Sequence, residues 1–174
     1  ETGERLLAWT TTPWTLPSNL ALAVAPDVEY GIYELNGIRY VMAVARREAY
    51  ARELEGAQQV GSVRGSELVG RRYTPLFDYF ADHAAQGAFR VLGGDFVTTE
   101  DGTGVVHMAP GFGEDDQRAC AEAGIALVVP VDSRGRFTSE VVDFVGQHVF
   151  EANTNIIKRL KSDGVVLRHE TYDH

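Results

Sequence analysis

The dipeptide Asn36-Gly37 constrains the fold of this chain more than any other feature. Apolar and polar residues roughly alternate before it, over 30–35, and after it, over 38–41. Asn-Gly between two such runs is typical of a β-hairpin with a two-residue type I′ turn, in which both turn residues need positive φ angles. The fold must therefore contain at least this antiparallel pair of strands.

Further short segments have the composition of strands, since they are rich in β-branched or aromatic residues and end at glycine or proline. These predicted strands are 5–10, 20–24, 59–63, 89–92, 104–108, 126–131 and 165–169. Helices are predicted at 46–54, at 114–123 before Gly124, and at 152–162 before Gly164. Many short strands with irregularly placed helices favour a mainly β fold with α elements. We expect a β-barrel or strongly curved sheet with helices outside and a ligand pocket at the barrel mouth.

Length and cysteine content indicate one ordinary globular domain. A chain of 174 residues can bury a core without a structural metal or disulfide. Its single cysteine, Cys120, excludes an internal disulfide and fits a reducing, cytoplasmic compartment. No apolar run approaches the length of a membrane span. Because the chain begins with neither Met nor a signal segment, we expect residues 1–174 to be one domain excised from a longer protein.

The charge distribution bears on possible ligands. The net charge is −9, and the stretch 91–117 contains six acidic residues but no Lys or Arg. A surface that binds duplex nucleic acid through many phosphates is basic, so duplex binding is disfavoured as the main function. Contact with one end of a nucleic acid stays open.

Familiar catalytic and metal-binding motifs are missing from the sequence. There is no Gly-x-Ser-x-Gly elbow and no P-loop. The runs Gly102-Thr103-Gly104 and Gly111-Phe112-Gly113 both lack the third glycine of the dinucleotide fingerprint. The histidines lie at no zinc-ligand spacing, so we predict no metal site.

Two segments are unusual enough to suggest a site. The first, called here the threonine-rich segment (9–19), combines four threonines and two tryptophans with two prolines. Prolines stop regular ladder pairing, so a strand ending here would present hydroxyls and backbone groups in a stiff frame. The alternative is a threonine-rich edge strand that runs into a turn.

The second, called here the glycine-rich segment (102–116), carries His107 on a predicted strand and then three acids, Glu114, Asp115 and Asp116, at a helix start. Acids in a first helical turn complement the helix dipole, and His107 alone could be a hydrogen-bonded core residue. Three consecutive acids exceed what one cap needs, so a cationic ligand, preferably an ammonium group, is expected near this helix start.

Taken together, the two segments resemble the editing domain inserted into class I aminoacyl-tRNA synthetases of the isoleucyl, valyl and leucyl group. The threonine-rich segment is most similar to the isoleucyl branch, since relatives typically have Arg at Thr12 and an acid at Trp14. The resemblance extends from about residue 6 to about residue 172. Phe112, where a His is frequent, bears only on the subgroup.

The resemblance implies a fold and an activity. The fold is a closed β-barrel core with peripheral helices. The activity is hydrolysis of the ester that joins misattached valine to the terminal adenosine of the isoleucine tRNA, with valyl-adenylate as a second substrate. Isoleucine is rejected by size, and editing needs no cofactor. The remainder of the parent synthetase would be a partner.

Site roles follow from the same resemblance, residue by residue. Asp116 would pair with the α-ammonium of valine, and His107 would lie against the substrate side chain and ribose. The hydroxyls of Thr10, Thr11 and Thr12 would bind the adenosine, the carbonyl and the attacking water. The remaining residues, Trp14, Thr15 and Asn19, would shape that wall. With no strong base in reach, catalysis would rest on positioning water.

Three alternatives remain open from the sequence. A valyl-type editing domain would clear threonine instead of valine. A non-catalytic module would grip the 3′ end of the tRNA, with the acids serving as helix caps. A purely structural insert would have no site at all.

Overall fold

The hairpin predicted at Asn36-Gly37 is present in the structure, a computed structural model that describes residues 2–170. Asn36 and Gly37 have φ angles of 52° and 81°, as a type I′ turn requires. Leu35 pairs directly with Ile38 across the turn. Residue 1 and residues 171–174, which the predicted domain includes, lie outside the described residues.

The described chain contains seven strands, three α-helices and four short 3₁₀ helices in irregular order. The strands are β1 (Glu4–Leu6), β2 (Ala21–Val24), β3 (Glu29–Leu35), β4 (Ile38–Ala43), β5 (Gln58–Arg64), β6 (Arg90–Gly93) and β7 (Val105–Met108). The α-helices are α1 (Gly65–Leu68), α2 (Glu114–Glu122) and α3 (Val149–Ser162). Short 3₁₀ helices lie at Pro13–Ser18, Val44–Tyr50, Ala81–Gln86 and Val142–Phe144. Within residues 2–170, no helix has the length and apolar character needed to cross a membrane.

The strands form two sheets, which makes this a mixed α/β fold. The first sheet has the order β1-β4-β3-β5, with the hairpin at its centre and β1 parallel to β4. The second has the order β6-β2-β7, in which β2 runs parallel to β6 and antiparallel to β7.

The predicted closed barrel is not found among the described residues. Beyond β1, the segment that leaves the first sheet makes only one isolated parallel bridge to the second, between Trp9 and Val106. Continuous pairing ends there because the chain enters a 3₁₀ helix that contains Pro13 and Pro17. Proline has no N–H group to donate to a ladder, so the two sheets stay separate.

Two predicted strands are wrong. The segment 126–131 makes only an isolated bridge, at Val131, and Pro130 within it cannot donate to a ladder. The segment 165–169 follows α3 without strand pairing, and the side chain of Arg168 ties it to the rest of the chain instead. Strand-forming composition alone therefore did not produce a paired strand in either segment.

The predicted helices fare better. The prediction at 114–123 corresponds to α2, and the one at 152–162 to α3, whose Ala152, Ile156 and Leu160 are buried as expected. The prediction at 46–54 is realised only as the 3₁₀ helix Val44–Tyr50.

Strand β2 brings the two unusual segments together. Its residues are buried, and in its pairing with β7 Ala21 lies opposite Met108 and Leu22 opposite His107. Because the strands are antiparallel, the first residue of β2 and the last residue of β7 lie at the same end of the sheet. The threonine-rich segment and the end of the glycine-rich segment therefore lie side by side.

Gly104, in the glycine-rich segment, packs closely against the side chain of Ala43. We expect Gly104→Ala to destabilise the fold by about 2 to 4 kcal/mol. Its φ angle is +82°, and an added Cβ would lie 2.7 Å from Cβ of Ala43. Gly124→Ala is the matched control, since Gly124 has a φ of +78° but no atom within 4 Å of such a Cβ. Denaturant unfolding measures both variants, and equal losses would contradict the steric argument.

Candidate functional site

A cavity of about 400 Å³ lies where the threonine-rich segment meets the glycine-rich segment. The connection between β6 and β7 supplies the rest of the wall. The lining residues are Trp9, Thr10, Thr11, Thr12, Thr15, Phe96, Thr98, Asp101, Gly102, Thr103, Gly104, Val105, Val106, His107, Ala109, Phe112 and Asp116.

The structure brings most of the predicted site residues to this cavity. Its wall includes Thr10, Thr11, Thr12, Thr15, His107 and Asp116. Two parts of the chain that are 92 positions apart, measured from Thr15 to His107, thus meet within hydrogen-bond distance. The other two predicted residues, Trp14 and Asn19, are not among the lining residues.

Trp14 supports the wall from behind. Its ring packs edge-on against Phe112, with 4.9 Å between the ring centroids. Its backbone N–H donates to Oδ1 of Asn153 on α3 at 2.9 Å. Trp14 therefore acts on the cavity through Phe112, and links that wall to α3.

Asn19 and His107 form a buried pair whose hydrogen bonds have a defined direction. The Asn19 side-chain nitrogen donates to the carbonyl oxygen of Ala21 at 2.9 Å. A carbonyl can only accept, so the amide nitrogen faces that side, and it also lies 2.8 Å from Nδ1 of His107. Nδ1 must accept this bond, which places the proton of the neutral ring on Nε2.

The same reasoning about donors and acceptors continues into the cavity wall. Nε2 of His107 donates to Oγ1 of Thr15 at 2.9 Å, and the Thr15 hydroxyl donates to the carbonyl of Thr12 at 2.8 Å. Thr12 is then the donor in its hydroxyl contact with Thr15 at 3.1 Å, and Thr10 the donor in its contact with Thr12 at 3.4 Å. The Thr12 hydroxyl oxygen accepts this bond from Thr10, and the Thr10 oxygen accepts the backbone N–H of Thr12 at 3.0 Å. Each oxygen keeps one lone pair, so this wall suits a ligand that donates hydrogen bonds.

His107 is held neutral by its surroundings, because burial lowers its pKa from 6.5 to about 4. With Nδ1 and Nε2 both bonded inside the protein, the ring has no lone pair left for a substrate or water. His107 therefore shapes and orients the wall, and does not act as a general base.

We expect this buried ring to make the fold sensitive to acid. Above about pH 6.5 the ring is neutral in both states, and stability is unaffected. As the pH falls toward 4, the unfolded chain binds a proton that the folded chain refuses, so the free energy of unfolding falls by about 3 kcal/mol in total. Urea unfolding across this range checks the loss. His107→Gln should remove it and His83→Gln should keep it, whereas equal slopes in both variants would contradict the assignment.

Asp116 is the only one of the three acids at the start of α2 that lines the cavity. Its Oδ2 accepts the backbone N–H of Ala109 at 2.9 Å. Burial is the main cause that raises the pKa of this carboxyl, and Asp115 adds to the rise. A half-buried carboxylate in this position is stabilised by a cationic partner.

The cavity is negatively charged. Asp101 and Asp116 both line it, and its described lining contains no Lys or Arg. The nearby cation, Arg46, donates to the carbonyl oxygen of Gly102 at 2.7 Å and to that of Glu100 at 3.2 Å, which holds the turn in place. Among residues 2–170, no group of three His, Cys, Asp or Glu side chains is arranged to hold a metal ion.

Sequence reasoning missed several contributors. Asp101 lay in the acidic stretch but received no role, and Phe96 and Thr98 lie in a connection without a motif. Trp9 belongs to the threonine-rich segment and is 46% exposed at the cavity. Tyr73 is bonded to Asn19 from a part of the chain with no sequence signal.

Curated relatives match nearly the whole chain. The isoleucine–tRNA ligase of Mycobacterium tuberculosis is 55% identical over an alignment of 181 residues, which covers 99% of this chain and 17% of that protein. The enzyme of Rickettsia canadensis is 54% identical and covers 98% of this chain and 16% of that protein. The chain is homologous to a segment of isoleucine–tRNA ligases. The predicted resemblance is thereby confirmed, and the chain spans about a sixth of the length of these ligases.

Comparison with solved structures shows that this chain has the fold of a synthetase editing domain. GlLeuRS-CP1 superposes with a TM-score of 0.72 at 14% identity, over 98% of this chain and 85% of that chain. The Plasmodium knowlesi cytosolic leucyl-tRNA synthetase editing domain gives 0.67 at 12% identity, over 92% of this chain and 82% of that chain. No family model matches the chain.

Proposed function

We propose that this chain hydrolyses the ester of valine misattached to the isoleucine tRNA, and valyl-adenylate as a second substrate, while rejecting isoleucine. The observation that carries the proposal is the position of Asp116 in a cavity whose described lining contains threonine hydroxyls and no Lys or Arg. Homology to isoleucine–tRNA ligases and the fold shared with leucyl-tRNA synthetase editing domains support an editing role.

In this proposal Asp116 anchors the α-ammonium of the amino acid. The amino group of an aminoacyl ester is the cationic part of the substrate, and the described lining offers it the two carboxylates of Asp101 and Asp116 and no Lys or Arg. Ammonium binding would favour the ionised form of Asp116, whose pKa burial otherwise raises. The carbonyl carbon is then held at a fixed distance from the threonine wall.

The threonines act on the water and the ester. The oxygens of Thr10 and Thr12 accept hydrogen bonds, which suits an attacking water or a ribose hydroxyl as donor. Thr11 lines the cavity beside them, and we assign its hydroxyl to the ester carbonyl. Since His107 has no free lone pair, catalysis rests on water positioning and the substrate ribose.

A separate editing step is needed because a single binding step distinguishes isoleucine from valine only weakly. One methylene in an apolar pocket is worth about 1 to 3 kcal/mol, a magnitude already established for the selection of isoleucine over valine by isoleucyl-tRNA synthetases themselves. A second pocket that only valine enters multiplies the selectivity. We place His107 and Phe112, both in the cavity wall, at the boundary that excludes the extra methylene.

The remaining parts of the proposal concern the context of the reaction. The terminal adenosine of the tRNA enters this cavity, and the remainder of a parent synthetase supplies most other tRNA contacts. Editing uses no cofactor, and the parent acts in the cytoplasm.

The test compares amino acid release from valyl-tRNA and isoleucyl-tRNA, both on the isoleucine tRNA, by the chain at high concentration and low salt. We expect release of valine and not of isoleucine. Faster release of threonine from the valine tRNA would indicate a valyl-type domain instead. Binding of a non-hydrolysable valyl-adenosine analogue without turnover of any ester would reduce the chain to a 3′-end binding module.

A further inference from the structure

Tyr73 lies outside the cavity lining, yet it is bonded to the group that orients His107. Its hydroxyl donates to Oδ1 of Asn19. Its own position is held by its backbone N–H, which donates to the carbonyl of Phe89 at 3.0 Å, and by edge-on packing of its ring on Phe89, with 6.1 Å between centroids. The Tyr73 hydroxyl is therefore a fixed donor behind the site.

Two hydrogen bonds fix which way the Asn19 side-chain amide is oriented. The carbonyl of Ala21 requires the amide nitrogen, and the hydroxyl of Tyr73 requires the amide oxygen. Burial raises the pKa of Tyr73, so its hydroxyl keeps the proton that it donates. In this orientation Asn19 can only donate to Nδ1 of His107.

We infer that Tyr73 is a positioning residue of this site, which acts through Asn19 to hold neutral His107 in the tautomer that donates from Nε2 to Thr15. The consequence for hydrolysis rests on the proposed function. If the ring carried its proton on Nδ1, Nε2 would accept the hydroxyl proton of Thr15. The Thr12 carbonyl would then lose its bond from the Thr15 hydroxyl and keep only the one from the Thr15 backbone N–H, so the threonine wall would be held less firmly at Thr12.

The direct test is the tautomer of His107, read from the nitrogen-15 shifts of its ring in the chain between about pH 5 and about pH 8. We expect a protonated Nε2 and an unprotonated Nδ1 throughout. A protonated Nδ1 in the unmodified chain would overturn the inference, and this readout does not depend on any hydrolytic activity.

Variants then test the contribution of Tyr73. In Tyr73→Phe, the Asn19 oxygen is left without its donor and only the Ala21 carbonyl still fixes the amide, so we expect a population with the ring proton on Nδ1 to become detectable. Asn19→Asp replaces the donor with an acceptor and should move the proton to Nδ1. Tyr79→Phe is the matched control, because the Tyr79 hydroxyl bonds to Asp143 and takes no part in this chain of bonds. Ring shifts in Tyr73→Phe identical to those of the unmodified chain would overturn the inference.

Hydrolysis of valyl-tRNA supplies a second readout. We expect about a tenfold lower kcat in Tyr73→Phe with little change in KM, and no change in Tyr79→Phe. An unchanged kcat in Tyr73→Phe despite a mixed tautomer would overturn the functional part of the inference. If no version of the chain cleaves any ester while the ring shifts behave as expected, the proposed function fails and the assignment of the tautomer stands.

Discussion

Asp116→Asn should lower the rate of valine release from valyl-tRNA by about a hundredfold to a thousandfold. The substitution keeps the shape of the side chain and its bond to the Ala109 N–H, but removes the charge that we propose pairs with the substrate ammonium. Leaving a desolvated charge without its partner costs about 2 to 5 kcal/mol, and the middle of this range, about 3 to 4 kcal/mol, corresponds to a rate change of a hundredfold to a thousandfold. Initial rates at substrate concentrations below KM measure the loss.

The first turn of α2 offers a matched control for this prediction. Asp115 is exposed, does not line the cavity, and belongs to the same helical turn as Asp116. Asp115→Asn removes the same charge from the same helix end, at a cost of about 0.3 to 1 kcal/mol in stability, and should leave hydrolysis intact. A folded Asp116→Asn chain with the unmodified rate would show that the ammonium is bound elsewhere.

His107→Ala should reduce the preference for valine over isoleucine by about tenfold to hundredfold. The ring is part of the cavity wall, and replacing it with a methyl group opens space for the extra methylene of isoleucine. The measurement is the ratio of kcat/KM for valyl-tRNA to that for isoleucyl-tRNA, both on the isoleucine tRNA. We expect most of the change to appear as new hydrolysis of the isoleucyl ester.

His107→Gln distinguishes the effect of side-chain volume at this position from the effect of its hydrogen bonds. Glutamine fills much of the same volume and still carries an N–H donor toward Thr15, so it should retain most of the rejection of isoleucine. If His107→Ala leaves the ratio of kcat/KM unchanged, His107 does not form the boundary, and Phe112 becomes the residue to vary.

Local patterns predicted the elements whose signals are local. The Asn36-Gly37 turn, β2, β7, α2 and α3 all appear where alternation, turn chemistry or helix ends indicated them. The strand predicted at 126–131 and the closed barrel were wrong because composition does not show which strands pair with each other, and pairing between the sheets stops at a single bridge.

The sequence predicted which residues belong to the site, but not which of them line the cavity and which support its wall from behind. The resemblance named residues of both segments, and the structure places six of them at one cavity. It could not distinguish Trp14 and Asn19, which support the wall, from the threonines that form it. Tyr73 escaped altogether, because its link to Asn19 spans 54 positions and only the folded chain reveals it.

The placement of β2 has a consequence for how the chain folds. The hairpin of β3 and β4 needs only a two-residue turn, whereas β2 must wait for β6 and β7 from much later in the chain. Contacts of such high sequence separation form slowly, because loop-closure entropy is lost before they are made. The bond between Thr15 and His107 can exist only after this late step. The time course of recovered ester hydrolysis during refolding should therefore lag behind that of β-sheet formation, and activity should report completion of the fold.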